Sequence, residues 1–186
     1  MVPAGTVTLC VEPGEVGAHA SRGASSLAVR LEGARPEVHD HHAGEGSFAR
    51  ALAVLAAIRA HGLEPVAVTT VTRSNARDLR ALASLLRARG CARWVIRWPL
   101  VDVGVEVDVP FTARVPRFGL AVPAVLAAAQ DARARGLEVA LEGFPRCALG
   151  PLAALARPTT RRAYAAPCRA SQARPSCPAV DPVYMD

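Results

Sequence analysis

Apolar and polar positions along this chain switch between two periods. Short β-rich runs lie at Thr6–Val11, Leu27–Leu31, Val66–Thr72, Arg93–Val101 and Leu137–Leu141. Val66–Thr72 is almost wholly apolar or β-branched, which suits a strand buried on both faces. Between the runs, apolar residues recur every three or four positions, as on one face of a helix. Phe48, Leu52, Leu55 and Ile58 form one such face, Leu79, Leu82 and Leu86 a second, and Val125, Leu126 and Ala129 a third. Ser47 is the expected N-cap of the first helix and Ser74 or Asn75 of the next, where Asp78 serves the first turn. Pro123 is expected to open the third. Each stretch stops at a glycine (Gly62, Gly90, Gly136), where a left-handed C-cap belongs. Helix, glycine, strand, three times over, predicts an α/β chain with parallel strands and crossover helices.

Residues 102–122 break the rhythm. Val alternates with Asp102, Glu106 and Asp108 there, the pattern of a solvated edge strand rather than of paired catalytic acids. After Gly143 regularity fades, and a tail rich in Pro, Arg and Cys runs from Pro158. The expected division is a barrel-like unit over 1–150 and a tail over 151–186.

Composition narrows the function classes. The chain has 186 residues, 51% of them hydrophobic and 20% charged, which is globular and long enough to bury a core. No apolar run is long enough to span a bilayer, and no signal peptide is apparent, so a cytoplasmic location without membrane contact is expected. The net charge is +6, all 22 basic residues are Arg, and aromatic residues make up only 4%. The arginines are dispersed along helices, which argues for a solvated surface and against a nucleic-acid partner. Walker-type, Gly-x-Ser-x-Gly and Gly-x-Gly-x-x-Gly motifs are lacking.

Four phrases in order carry a family likeness. They are Leu27-Ala-Val-Arg-Leu-Glu-Gly33, His39-Asp40, Gly44-Glu-Gly-Ser-Phe48 and Val68-Thr-Thr-Val-Thr-Arg-Ser-Asn75. This run resembles the middle of a radical S-adenosylmethionine (radical SAM) barrel. The resemblance implies an incomplete (β/α) TIM-like barrel, with Val29–Gly33 as the family's fourth strand, Val68–Asn75 as its fifth and Thr6–Val11 as its third. The family's first two strands, and the Cys-x3-Cys-x2-Cys loop that holds its [4Fe–4S] cluster, then fall outside this sequence. In that family the cluster passes an electron to the sulfonium of S-adenosylmethionine, whose carbon–sulfur bond breaks. Cys10 and Cys91 stand alone and do not replace a three-cysteine loop.

The resemblance implies a cofactor cradle at the strand ends, formed by Arg30, Glu32, Thr70, Thr72 and Asn75. A plain structural reading stands beside it: Glu32 as a loop acid and Asn75 as a helix cap. His39-Asp40-His41-His42, read as an extended loop, would set His39 and His41 on one side as candidate metal ligands without a third at a diagnostic spacing.

The tail carries a second likeness. Phe144-Pro-Arg-Cys147, then Cys168-x2-Ser171-x5-Cys177, is similar to the auxiliary-cluster extension of SPASM or twitch type, with Ser171 where the middle cysteine would be. The resemblance implies a degenerate metal site at Cys147, Cys168 and Cys177; the alternative is three unpaired cytosolic thiols. The expected function is that of a truncated or degenerate radical SAM-type protein. Its complete form would reductively cleave S-adenosylmethionine to modify a peptide or small molecule, with a complementing chain supplying the cluster motif. The alternative is a non-catalytic partial barrel that binds a partner or peptide, or a second copy of itself, along the open Thr6–Val11 edge. A third reading is an unrelated (β/α) domain.

Overall fold

The computed structural model describes residues 9, 12–99, 115–158 and 163–184. A short helix α1 (Val16–Ser21) leads into β1 (Ser26–Arg30). Then come α2 (Pro36–Ala43), α3 (Ser47–Ala60), β2 (Glu64–Thr70), α4 (Leu79–Ala88), β3 (Arg93–Arg97), α5 (Phe118–Ala134), β4 (Glu138–Glu142) and a two-residue β5 (Ala156–Arg157). The five strands form one parallel sheet in the order β1-β2-β3-β4-β5. Every crossover therefore steps to the next position in the same direction. Crossovers of one hand repeated in one direction place all their helices on one face, which is the wall of a barrel rather than a doubly wound sheet.

The strand alternation explains the two faces. Leu27, Val29 and Leu31, then Ala67 and Val71, Trp94, Ile96 and Trp98, and Val139 and Leu141 point to the helices and join their apolar stripes in one core. Trp94 donates its indole N–H to Thr69 Oγ1 at 2.9 Å, and Thr69 donates to the Leu31 carbonyl at 2.6 Å, so a hydrogen-bonded chain ties β3 to β2 to the end of β1. The opposite face carries two charged levels. At the strand N-termini Arg93 lies between Glu64 (2.9 Å) and Glu138 (3.4 Å). At the C-termini Arg97 pairs with Glu142 at 2.5 Å. Val68, Val95 and Ala140 share one register level between them.

The glycine stops take the expected form. Gly62, Gly90 and Gly136 have φ of 71°, 75° and 84°. Beyond each, the next N–H reaches back to the last turn: Leu63 to Ile58, Cys91 to Leu86 and Leu137 to Ala132, each at 3.0 Å. These bonds satisfy otherwise orphaned helix carbonyls and turn the chain straight into the next strand.

Three expectations change. Pro123 lies inside α5 rather than at its start. The helix begins at Phe118, whose ring packs on Trp98 at 4.6 Å between centroids, and a proline this close to the N-terminus removes only the bond to Gly119. The His39–His42 segment is helix α2, not an extended loop, so His39 and His41 do not share a side. The β-branched run at Val66–Thr72 pairs two residues earlier, from Glu64 to Thr70. The expected edge strand around Asp102, Glu106 and Asp108 lies outside the described residues, as does Cys10. Of Thr6–Val11 only Leu9 is described, and it forms a parallel bridge to Ala28.

After β5 the tail folds back. Ala163 and Val180 pair antiparallel, and Tyr184 sets its ring at a tilt against Trp98 while donating its hydroxyl to the Pro99 carbonyl. Phe144 completes this aromatic group at 5.3 Å from Trp98.

Candidate functional site

At and just past the C-terminal ends of β1 and β2, all five predicted cradle residues join through one hydrogen-bonded network. Glu32 is 1% exposed. Its Oε1 accepts from Arg30 Nε at 2.5 Å and its Oε2 from the Thr70 amide at 2.9 Å. Asn75 is fully buried; its Nδ2 donates to the carbonyls of Glu32 (2.9 Å) and Thr70 (2.8 Å). Its Oδ1 accepts from the Thr72 amide at 2.8 Å. Asn75 thus pins the two strand ends together instead of capping α4, which starts four residues later. Ser74 does not cap α4 either; its hydroxyl meets His42 Nε2 at 2.7 Å, and the Thr72 hydroxyl lies 3.1 Å from the same atom. Arg30 keeps half of its side chain in solvent.

The electrostatics follow from burial. Desolvation raises the Glu32 carboxyl above its ordinary range, against the smaller opposing pull of Arg30 and the Thr70 amide. His39 is buried beneath the site and accepts the Glu32 amide on Nδ1 at 3.0 Å, which requires the neutral ring. Burial lowers its pKa, and the Arg30 charge pushes the same way while Asp40 opposes.

His39 and Asp40 therefore have separate structural tasks. Asp40 receives the Phe48 amide at 2.7 Å, the Ser47 hydroxyl at 2.9 Å and the Gly46 amide at 2.9 Å. Those bonds hold its carboxyl below the usual value although desolvation acts the other way. Asp40, seven residues upstream, does the capping expected of Ser47. Asp78 likewise reaches sideways, accepting the Ala34 amide at 2.6 Å and facing Arg35 at 3.4 Å. Gly33 leaves room for Asp78 and for Val38, since a Cβ there would lie 3.2 Å from Asp78 Oδ2 and 2.5 Å from Val38 Cγ1.

The second cluster is in the tail. Cys147, Cys168 and Cys177 all line one apolar cavity of about 200 Å³, with Ser171, Tyr164 and Arg174 also on its wall. Cys177 Sγ receives two backbone amides, Arg146 N and Ala179 N, each at 3.4 Å. The second comes from a turn in which Ala179 holds φ 62°, a left-handed conformation costly for any residue with a Cβ. All three tail thiols are free, and Cys91 is a buried thiol raised to about 12 by burial, which Arg59 only partly offsets. Among the described residues no three His, Cys, Asp or Glu side chains converge closely enough for a single metal ion.

The structure brings the predicted residues of each group near one another, and the sequence did not show what supports them. The tie from Asn75 to Glu32, the neutral His39 and the amide pair on Cys177 join positions far apart in the chain. Only the order of the phrases hinted at them.

No protein-family model matches the sequence, and no curated protein matches it significantly. Among solved structures, hydroxymethylglutaryl-CoA lyase from Pseudomonas aeruginosa superposes with a TM-score of 0.52 at 17% identity, over 83% of this chain and 51% of that one. A radical SAM methyltransferase from Sphaerobacter thermophilus gives 0.43 at 19% identity, over 62% of this chain and 33% of that one. The chain spans about half the length of the lyase. The likeness to the lyase establishes a TIM-barrel-like fold and nothing about chemistry, since one such fold hosts many reactions. No helix among the described residues is long and apolar enough to cross a membrane.

Proposed function

We propose that this chain is a radical SAM-type partial barrel with an auxiliary metal site in its tail, and that its complete form modifies a peptide or small molecule. The observation that carries the reading is the gathering of Cys147, Cys168 and Cys177, with Ser171, around one cavity. Thiolates gathered on one cavity wall are the ligand type an iron–sulfur group takes, and amides directed at Cys177 Sγ would offset the charge of a metal-bound sulfur. Ser171 is a poorer iron ligand than the cysteine it replaces, because its hydroxyl is far less acidic. The chain has no three-cysteine loop for the family's primary cluster, so no radical step is assigned to its own residues. We place that loop on a complementing chain or segment.

S-adenosylmethionine, when bound against a reduced cluster, supplies reductive cleavage of its carbon–sulfur bond. In this reading Arg30, Thr70 and Thr72 face the cofactor, with the half-exposed guanidinium of Arg30 meeting its carboxylate. Glu32 and Asn75 already spend their polar atoms on neighbours and hold the other three in place.

The test is anaerobic reconstitution of the full chain with ferrous iron and sulfide. Bound iron and sulfide, the broad visible absorption of a cluster, and loss of both in Cys147→Ala, Cys168→Ala and Cys177→Ala are expected. Protein that takes up no iron, or takes it up equally in all three variants, overturns the site. Calorimetry with S-adenosylmethionine tests the cradle separately, with weaker binding expected for Arg30→Ala.

A further inference from the structure

The end of the barrel away from both clusters repeats a motif. Arg59-Ala-His-Gly62, Arg87-Ala-Arg-Gly90 and Arg133-Ala-Arg-Gly136 close three successive helices, and Arg22-Gly23 follows α1. Arg22, Arg59, His61, Arg87, Arg89, Arg133 and Arg135 are exposed there. Arg135 pairs with Asp131, but no ion pair among the described residues engages Arg59, Arg87, Arg89 or Arg133. Cations at helix C-termini complement the helix dipole, and that alone accounts for a basic residue at each end. It does not account for what lies between two of them.

The helical layer is uneven. α4 packs along α5, and α2 along α3, whereas α3 and α4 meet only sparsely. The gap is a groove of about 420 Å³, lined by Leu52, Leu55, Ala56 and Arg59 of α3 and by Ala88 and Arg89 at the end of α4. The α3 residues fall at i, i+3, i+4 and i+7, so one aliphatic stripe forms its floor. Arg59 crosses the lower end, its guanidinium lying where a Cβ on Gly90 would sit, 2.7 Å from Nε. The cation thus lies at the mouth over Gly90 with no carboxylate paired to it among the described residues, and Arg89 lines the same groove.

We propose that this groove docks an acidic amphipathic helix of a partner protein. Its apolar edge lies on Leu52, Ala56 and Ala88, with Leu55 beneath them in the core, and its carboxylates meet Arg59 and Arg89. Charge complementarity selects the occupant. Nucleic acid fits less well, because the floor is aliphatic and offers no ring for base stacking. A bilayer fits less well because the large exposed apolar side chains, Leu9 and Leu120, lie elsewhere. Docking here leaves the strand C-termini free, so the inference holds whether or not the chain binds iron.

The experiment uses the full chain and fluorescence anisotropy of a labelled helical peptide of about fifteen residues, with leucine along one edge and glutamate along its flanks. A scrambled peptide of the same composition and a short single-stranded oligonucleotide are the comparison probes. The expected result is binding of the patterned peptide alone, weakened by added salt and weakened about tenfold or more by Ala88→Trp, which fills the groove, and by Arg59→Ser with Arg89→Ser. Ala88 is exposed, so its variant should keep the melting temperature of the parent. Any of four results overturns the proposal: no binding of the patterned peptide, equal binding of either comparison probe, indifference to Ala88→Trp, or self-association that Ala88→Trp abolishes.

Discussion

Two buried titratable residues face each other through one amide and respond to pH in opposite senses. Glu32 has a carboxyl raised above its ordinary 4.5 by burial, so its contribution to stability is complete below that value and is lost as pH climbs through the folded-state value. His39 is shifted below its ordinary 6.5, so its contribution is complete above that value and is lost as pH falls through the folded-state value. Urea unfolding across the acidic to neutral range should therefore show Glu32→Gln gaining on the parent as pH rises. His39→Asn, which keeps an acceptor for the Glu32 amide, should gain on it as pH falls. Parallel curves for parent and variants would remove both residues from the titration. The sequence marked Glu32 and Asn75 correctly as strand-end residues. It did not reveal that both are sealed from solvent, because the atoms that seal them belong to Thr70, Thr72 and His39, brought near only by the pairing of β1 with β2.

At the level of elements, the glycine stops allow a controlled comparison. Gly62 and Gly90 have nearly the same left-handed φ, but a Cβ on Gly62 would meet nothing within 4 Å, whereas on Gly90 it would strike Arg59. Gly62→Ala should cost about 1 kcal/mol, the strain of the conformation alone. Gly90→Ala should cost more by whatever it takes to displace Arg59, and Arg59→Ala should erase the excess when the two are combined. Equal costs in thermal unfolding would show that Arg59 moves freely. These stops, and the strands that follow them, were legible because cap and strand signals are local. The helix starts were misread for the opposite reason: α3 is capped by Asp40 from the preceding helix, and α5 begins at Phe118 to reach the aromatic group around Trp98. A two-residue strand such as β5 leaves no period to read.

For the whole molecule, one tie between the tail and the end of the sheet is Tyr184, whose ring tilts against Trp98 and whose hydroxyl reaches the Pro99 carbonyl. Burial, with Asp181 adding to it, pushes that phenol well above its usual range, so it stays a donor at ordinary pH. Tyr184→Ala should shift the tryptophan emission to the red and lower stability by about 2 kcal/mol; unchanged emission would place the tail elsewhere in solution. The order of assembly follows from the same geometry. Each strand pairs with its predecessor in the chain, so every βα unit can settle as it leaves the ribosome, with no wait for distant sequence. The tail is the exception, because Tyr184 binds a carbonyl 85 residues upstream. Cys168 and Cys177 follow Cys147 in the chain, and the chamber they share with it cannot close until Cys177 has been synthesised. A nascent chain therefore presents its thiols singly, and the trio exists only after Cys177 has emerged.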